Sequence, residues 1–373
     1  MDVKSFLDHL DVDFYTGIPD SQLKPLCNYL YATYGISHKH IIGANEGNCT
    51  AMAAGYYLAT GKIPLVYMQN SGIGNVVNPV CSLLNDKVYA VPCIFVVGWR
   101  GEPGIKDEPQ HVFQGEVTLK LLQDLDIKTF VIDKSTTTDE IKSIMYVFRE
   151  ELDLGKSVAF VVRKGGLTYK ETVVYKNEYP MIREDVIRQI VKIAGRDILV
   201  STTGKASREL FEIREQNQEE HNHDFLTVGS MGHTSSIALG IAMEKKNQRV
   251  WCIDGDGSTL MHLGAMAVIG SRKPVNLVHI VINNGAHETV GGQPTVMDQV
   301  NLVEIAKACG YEKVICVYDF SQLDLQLQEA KNEEKLTLIE IKCGIGAREN
   351  LGRPTVTAKE NKEKFMKYLK SVK

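Results

Sequence analysis

Ten short runs rich in β-branched and apolar residues punctuate this chain, and the stretches between them have helical composition and length. The first part offers HIIGA, IPLVYMQ, VPCIFVVG, KTFVID and SVAFVVR; the second offers DILVST, RVWCIDG, NLVHIVIN, KVICVY and TLIEIKC. Strands that alternate with helices return in the same direction, so the pattern demands parallel sheets covered by helices. The rhythm breaks once, at RKGGLTYKETVVYKNEYP, residues 163–180, a polar stretch that contains Gly and ends in Pro. A new helix pattern follows in MIREDVIRQIVKIAG. The expectation is an α/β chain of two doubly wound parallel-sheet domains, 1–165 and 181–373, joined by a linker at 166–180. Open sheets of this kind bind ligands at the carboxyl ends of their strands, where the Gly-rich polar segments of both halves lie.

Composition narrows the function. A length of 373 residues, 44% hydrophobic and 24% charged, suits two folded domains with cores of their own. Lys and Arg total 42 against 46 Asp and Glu, a formal charge of −4, which argues against a general nucleic-acid binder. The opening segment MDVKSFLDHLDVDF is acidic and amphipathic without an apolar signal core, and VYAVPCIFVVGW is too short to span a bilayer. Eight cysteines form no CxxC pair and no zinc-like cluster, most of them in apolar contexts such as YAVPCIFVV. A cytoplasmic protein without membrane or nucleic-acid partners is expected. The His-x-His pairs at 38/40 and 221/223 lack a third ligand and read as surface histidines.

The most chemically informative stretch is WCIDGDGSTLMHLGAMAVIGSRKPVNLVHIVINNGAHETVGG, residues 251–292. Gly255 and Gly257 let the backbone turn tightly and approach a ligand, while Asp256 projects from a strand end. The segment STLMHLGAMAVIG reads as one helix whose N-terminal N–H groups face an anion. Asn283 lies 27 positions beyond Asp256, the span of a helix and the next strand. A carboxylate, an amide oxygen and a nearby carbonyl are hard ligands that suit Mg²⁺ bridging to a diphosphate. Alone, Gly-Asp-Gly is an ordinary turn.

Joined to VINNG at that separation, GDGS resembles the cofactor motif of the thiamin diphosphate (ThDP) enzymes, the 2-oxo acid decarboxylase and transketolase superfamily. The resemblance implies that Asp256, Asn283 and the Gly285 carbonyl hold Mg²⁺ and that Ser258 faces the diphosphate. It also implies a carboxyl group against the aminopyrimidine, and IIGANEGNCTAMAAGYYLATG supplies Glu46 at the matching position. On its own, Glu46 reads as a helix N-terminal carboxylate favoured by the macrodipole. YMQNSGIGNVVNPV resembles the family's Ser-Gly-x-Gly-x-x-Asn loop and places Gly72, Gly74 and Asn75 near the cofactor. TVGSMGHTSSIALGIA matches the segment that props the cofactor, with Met231 beneath it and the Gly229 carbonyl as an acceptor. Thr203 and Gly204, in STTGKASREL, are further candidates for cradling the diphosphate.

The similarity spans a pyrimidine-type and a diphosphate-type domain without the central third domain of larger relatives. It looks most like the branch that decarboxylates phosphonopyruvate and sulfopyruvate. Decarboxylation of 3-phosphonopyruvate is therefore the expected activity, in phosphonate biosynthesis. Other 2-oxo acid decarboxylases, an acetolactate-forming carboligase and a non-catalytic nucleotide-binding or assembly subunit remain alternatives. The family places its cofactor between subunits, which implies a homo-oligomer. A phosphonate calls for fixed cations, and the candidates are Arg100, Lys106, Lys205, Arg208, Arg348 and Arg353, each of which also reads as a solvated surface charge. His111 with Gln114, or His287 with Glu288, are the candidates for moving protons.

Overall fold

The computed structural model describes residues 1–372. Two compact units divide the chain: Met1–Val174 with Val290–Gln293, and Tyr175–Thr289 with the residues from Pro294 onward. Each contains one six-stranded sheet, parallel throughout. In the first unit the strands are β1 (Tyr15–Gly17), β2 (His40–Ile42), β3 (Leu65–Gln69), β4 (Ile94–Gly98), β5 (Lys128–Ile132) and β6 (Val158–Val162), in the order β2-β1-β3-β4-β6-β5. In the second they are β7 (Ile198–Ser201), β8 (Asp224–Leu226), β9 (Val250–Gly255), β10 (Leu277–Asn283), β11 (Lys313–Val317) and β12 (Thr337–Lys342), in the order β11-β12-β10-β9-β7-β8. Read from the opposite edge, the second order repeats the first.

Each sheet thus has a topological switch point, β1/β3 in one and β7/β9 in the other, where the connections leave in opposite directions and open a crevice at the strand ends. The central strands are buried on both faces, so they read as continuous apolar runs. All ten expected strands form. Two more, β1 and β8, have only three residues each and no marked apolar run.

Helix ends fix the functional positions. Asn45 caps the helix Glu46–Thr60 by accepting from the Asn48 N–H at 2.9 Å, and Gly61 closes it at φ 70°. Glu46 therefore sits in the first turn. The single helix expected after Asp256 is two short ones, Asp256–Met261 and Ala265–Arg272. The break falls at His262, which adopts φ −134°.

The reading of the paired histidines as surface groups is corrected for half of them. His40 is buried, with Nε2 2.9 Å from the Tyr67 hydroxyl and Nδ1 2.8 Å from the Gly35 carbonyl oxygen. His223 is also buried, whereas His38 is exposed and His221 half-buried. In each pair the second histidine lies at the start of a strand, His40 opening β2 and His223 directly preceding β8, while the first lies ahead of it outside the sheet. No described helix is long and apolar enough to cross a membrane.

Candidate active site

In the second unit the chemistry gathers at the ends of β9 and β10. These strands pair in register, Ile282 opposite Gly255, so the residues that follow them emerge side by side. Asp256 is buried and its Oδ2 accepts from the Thr295 hydroxyl at 2.6 Å. Burial raises its carboxyl to about 6, a shift that a bound cation would reverse. Asn283 is fully buried: its Nδ2 donates to Glu340 Oε1 at 2.7 Å and its Oδ1 accepts from the Gly285 N–H at 3.0 Å. Gly285 adopts φ 68°, and its carbonyl oxygen accepts from the Thr295 N–H at 2.8 Å. Thr295 thus ties Asp256 to Gly285 through two separate donors.

These oxygens fit a Mg²⁺ ion. A carboxylate, an amide oxygen and a carbonyl with a second lone pair to offer are the hard donors that such an ion takes. The adjoining loops fit a diphosphate. Ser258 Oγ accepts from the Gly232 N–H at 3.0 Å and from Thr202 Oγ1 at 3.2 Å. Gly204 opens the helix Lys205–Gln216 at φ 89°, and Thr203 Oγ1 donates to the Val228 carbonyl oxygen at 2.7 Å. Gly229 and Met231 lie on the turn after β8, where Ser230 holds φ 53°, a left-handed conformation that a serine rarely adopts. A Cβ on Gly257 would come 3.3 Å from Met231 Cε and 3.4 Å from His287 Cε1. Gly257 thus opens the space where Met231 and His287 converge.

His287 is buried, and desolvation lowers its pKa to about 4. It is a neutral imidazole at ordinary pH. Its neighbour Glu288 is occupied: Arg183 Nη1 donates to it at 2.6 Å, Lys205 Nζ at 2.9 Å and Asn284 Nδ2 at 2.9 Å. Although burial raises the carboxyl, Arg183 and Lys205 hold it below the usual value. Arg183 also pairs with Glu209, Nε to Oε2 at 2.7 Å.

The first unit places Glu46 at its own strand ends. It is buried, and burial raises its carboxyl above the usual range. Asn75 Nδ2 donates to its Oε2 at 2.7 Å. A Cβ on Gly72 would stand 2.4 Å from Glu46 Oε1, so that glycine makes the room the carboxyl occupies. Gly74, by contrast, is exposed and faces open space. His111 and Gln114 share the helix Pro109–Asp124 in this unit. Burial and the nearby Arg100 lower the His111 pKa, and its Nδ1 is buried without a hydrogen-bond partner.

The cationic candidates are divided between the two units. Arg100 and Lys106 line a cavity of about 560 Å³ in the first unit, together with Lys24 and Lys164. Arg100 is paired with Asp107, Nε to Oδ2 at 2.8 Å, and Lys106 is exposed. Lys205 is bound to Glu288 as described. Arg208 Nε donates to the Gly352 carbonyl oxygen at 2.6 Å. Arg348 pairs with Glu184, Nε to Oε2 at 2.9 Å, and with Glu212. Arg353 is exposed. Thr295, Glu340, Arg183 and Asn284 were not singled out in the sequence. For Glu340 a signal existed, a lone carboxylate inside the apolar strand TLIEIK.

Comparison with known proteins agrees with this geometry. The N-terminal TPP binding domain of the thiamine pyrophosphate enzymes matches residues 3–122, and their C-terminal TPP binding domain matches residues 202–341. Phosphonopyruvate decarboxylase of Streptomyces viridochromogenes is 33% identical, over 99% of this chain and 94% of that protein. The enzyme of the same name from Streptomyces hygroscopicus is 32% identical over 98% and 93%. Sulfopyruvate decarboxylase subunit beta of Methanocaldococcus jannaschii is 38% identical over 43% of this chain and 82% of its own length. The chain belongs to the thiamine pyrophosphate enzyme family.

Proposed function

We propose that this protein is a ThDP- and Mg²⁺-dependent decarboxylase that converts 3-phosphonopyruvate to phosphonoacetaldehyde and CO₂. The observation that carries the substrate assignment is similarity to two phosphonopyruvate decarboxylases along nearly the whole of both chains. Relatives named for sulfopyruvate match less well or over a smaller part. ThDP supplies, when bound, a carbon nucleophile for the ketone and an electron sink for the pair released as CO₂ leaves.

The chain's own residues divide the remaining work. Asp256, Asn283 and the Gly285 carbonyl would hold Mg²⁺, with Thr295 and Glu340 orienting them. Thr203, Gly204, Gly255, Gly257 and Ser258 would receive the diphosphate, and Gly229 and Met231 would support the rings. Glu46, with Oε2 held by Asn75, would carry its proton on Oε1. Burial raises its pKa and so favours the protonated form, the direction that suits a group which both gives and takes a proton. His287 is a neutral donor or acceptor for the carbon from which CO₂ departs, and His111 is a second candidate. Glu288 is better suited to fixing Arg183 and Lys205 than to moving protons. Lys106, in the cationic cavity, is the phosphonate-binding candidate least committed elsewhere.

We also read the protein as a cytoplasmic homo-oligomer. Glu46 and the candidate metal ligands lie in different units, and the family resemblance supports a cofactor held between subunits. The eight free cysteines suit a reducing compartment. A panel of phosphonopyruvate, sulfopyruvate and pyruvate with ThDP and Mg²⁺ tests the substrate. The expected outcome is the highest kcat/KM for phosphonopyruvate; a preference for either competitor overturns it. A fully active monomer in analytical ultracentrifugation under assay conditions overturns the oligomer.

A further inference from the structure

No zinc-like cysteine cluster is visible in the sequence, yet the fold assembles a three-residue group from β9 and β10. Trp251, Ile253, Val278, Ile280 and Ile282 belong to the apolar core of the second unit. The alternate residues Cys252, Asp254 and His279 face the other side of the sheet, His279 in register opposite Cys252. Their ligating atoms all lie within 4.8 Å of one another, and all three residues are buried. Burying a carboxyl and an imidazole inside two central strands is costly unless something satisfies them. Here Asp254 Oδ2 and His279 Nε2 face each other at 3.6 Å, and both lack a hydrogen-bond partner.

The other polar atom of each group is engaged. Asp254 Oδ1 accepts from the Gly255 N–H at 2.9 Å, and His279 Nδ1 lies 3.0 Å from the Tyr311 hydroxyl. Such outer contacts fix ligand orientation around metal ions and set the imidazole tautomer. With Nδ1–H donating to Tyr311, Nε2 presents its lone pair to Asp254 and Cys252.

We propose that Cys252, Asp254 and His279 form a buried site for a divalent transition-metal ion of the zinc class. One thiolate, one imidazole and one carboxylate are the mixed ligands that Zn²⁺ accepts, and a thiolate disfavours Mg²⁺. On binding, the S–H bond of Cys252 breaks, a sulfur–metal bond forms and the proton leaves to water, so affinity rises with pH. The ion joins β9 to β10 just before Asp256 and Asn283. It is a structural clasp beneath the cofactor ligands, separate from the Mg²⁺ that they would hold.

The test is Co²⁺ titration of the chelator-treated full chain, with Mg²⁺ saturating so that the Asp256 position is occupied. The expected result is one Co²⁺ per chain, with intense visible absorption and a thiolate-to-cobalt charge-transfer band. C252S should lose the band, Y311F should bind about tenfold more weakly, and D256N should keep the band. Zn²⁺ should raise the Tm of wild type and D256N but not of H279Q, a comparison independent of turnover. The wild-type spectrum alone decides the matter if a variant fails to fold. Absence of the band, or its loss in D256N rather than C252S, overturns the site and leaves the three residues as packing neighbours.

Discussion

Asn283 and Glu340 are joined by a 2.7 Å hydrogen bond from Nδ2 to Oε1, in the buried interior of the second sheet. The register of β10 and β12 sets this contact, with Asn283 opposite Lys342 and Val281 opposite Glu340. Because the amide nitrogen is committed to Glu340, the amide oxygen is turned toward the Gly285 turn. Glu340 is itself held by Lys342 at 2.8 Å. An acidic residue outside the recognisable motif thus fixes which end of the asparagine would face a bound metal.

Glu340→Ala is therefore expected to weaken Mg²⁺ binding by about 10–100-fold, the usual cost of losing an orienting partner. Glu340→Gln, whose side-chain oxygen still accepts from Asn283, should retain most of the affinity. Calorimetric titration of Mg²⁺ in the presence of ThDP distinguishes the two. Equal losses in both variants would assign the effect to the Lys342 ion pair instead.

Gly72 and Glu46 yield a second expectation. A methyl group at position 72 would occupy the space of Glu46 Oε1, while the backbone there, at φ −72°, tolerates alanine. Gly72→Ala should push the carboxyl aside and lower kcat by about 10²-fold or more, within the range that a general acid–base group contributes. Glu46→Gln should lose turnover with fold and most ThDP affinity retained. Adding Gly72→Ala to Glu46→Gln should then cost little further, since both act through one group. Additive losses in kcat would separate the two residues.

Much of this site was legible because its groups sit in local motifs. Asp256, Ser258 and the Asn283–Gly285 turn each follow a strand within a few residues, and adjacent strands bring them together. The two sheets share one strand order, so Gly72 after β3 and Asp256 after β9 occupy matching places. What escaped was set by long-range register or packing. Thr295 reaches Asp256 across 39 positions, and Arg183 reaches Glu288 across 105. No periodicity encodes such pairs. The strands β1 and β8 escaped because Tyr-Thr-Gly and Asp-Phe-Leu are too short to show alternation.

The partners of Glu288 predict a stability effect larger than a catalytic one. Its carboxyl is held below the usual value, so its contribution is present above the unfolded pKa and is lost as pH falls through the folded one. Glu288→Gln should destabilise the protein at pH 7 by roughly 1–3 kcal/mol, because Arg183 keeps Glu209 but loses its second carboxylate. The difference from wild type should shrink below about pH 4. Denaturant titration across pH measures it. A large fall in kcat with unchanged stability would make Glu288 a proton carrier after all.

Arg348 and Lys106 separate tail anchoring from substrate selection. Arg348 joins the tail to Glu184 and Glu212, so Arg348→Ala should cost roughly 1 kcal/mol of stability. Losses for phosphonopyruvate and for any residual pyruvate activity should then be similar. Lys106→Ala should leave stability unchanged and reduce kcat/KM for phosphonopyruvate more than for pyruvate, because only the former carries an added dianion. The ratio of the two efficiencies in each variant is the measurement. A changed ratio in Arg348→Ala alone would move the phosphonate to the tail.

Asp256 makes a prediction whose sign reverses with metal. In the metal-free protein, burial lifts its carboxyl from the ordinary 3.8 to about 6. The folded state then binds more protons than the unfolded chain between those values. Stability from this group is full below the unfolded pKa and falls as pH rises to about 6, by up to roughly 3 kcal/mol. Asp256→Asn, which can still accept from Thr295, removes that slope. The metal-free variant should therefore be more stable than metal-free wild type at pH 8. With Mg²⁺ and ThDP the order should invert, because the wild-type carboxylate gains its counter-charge and the variant binds the ion poorly. Thermal melts of both proteins, with and without Mg²⁺ and ThDP, test the crossing. A variant less stable than wild type in metal-free buffer at pH 8 would mean that Asp256 is held by the fold, with no ionisation cost for a cation to relieve.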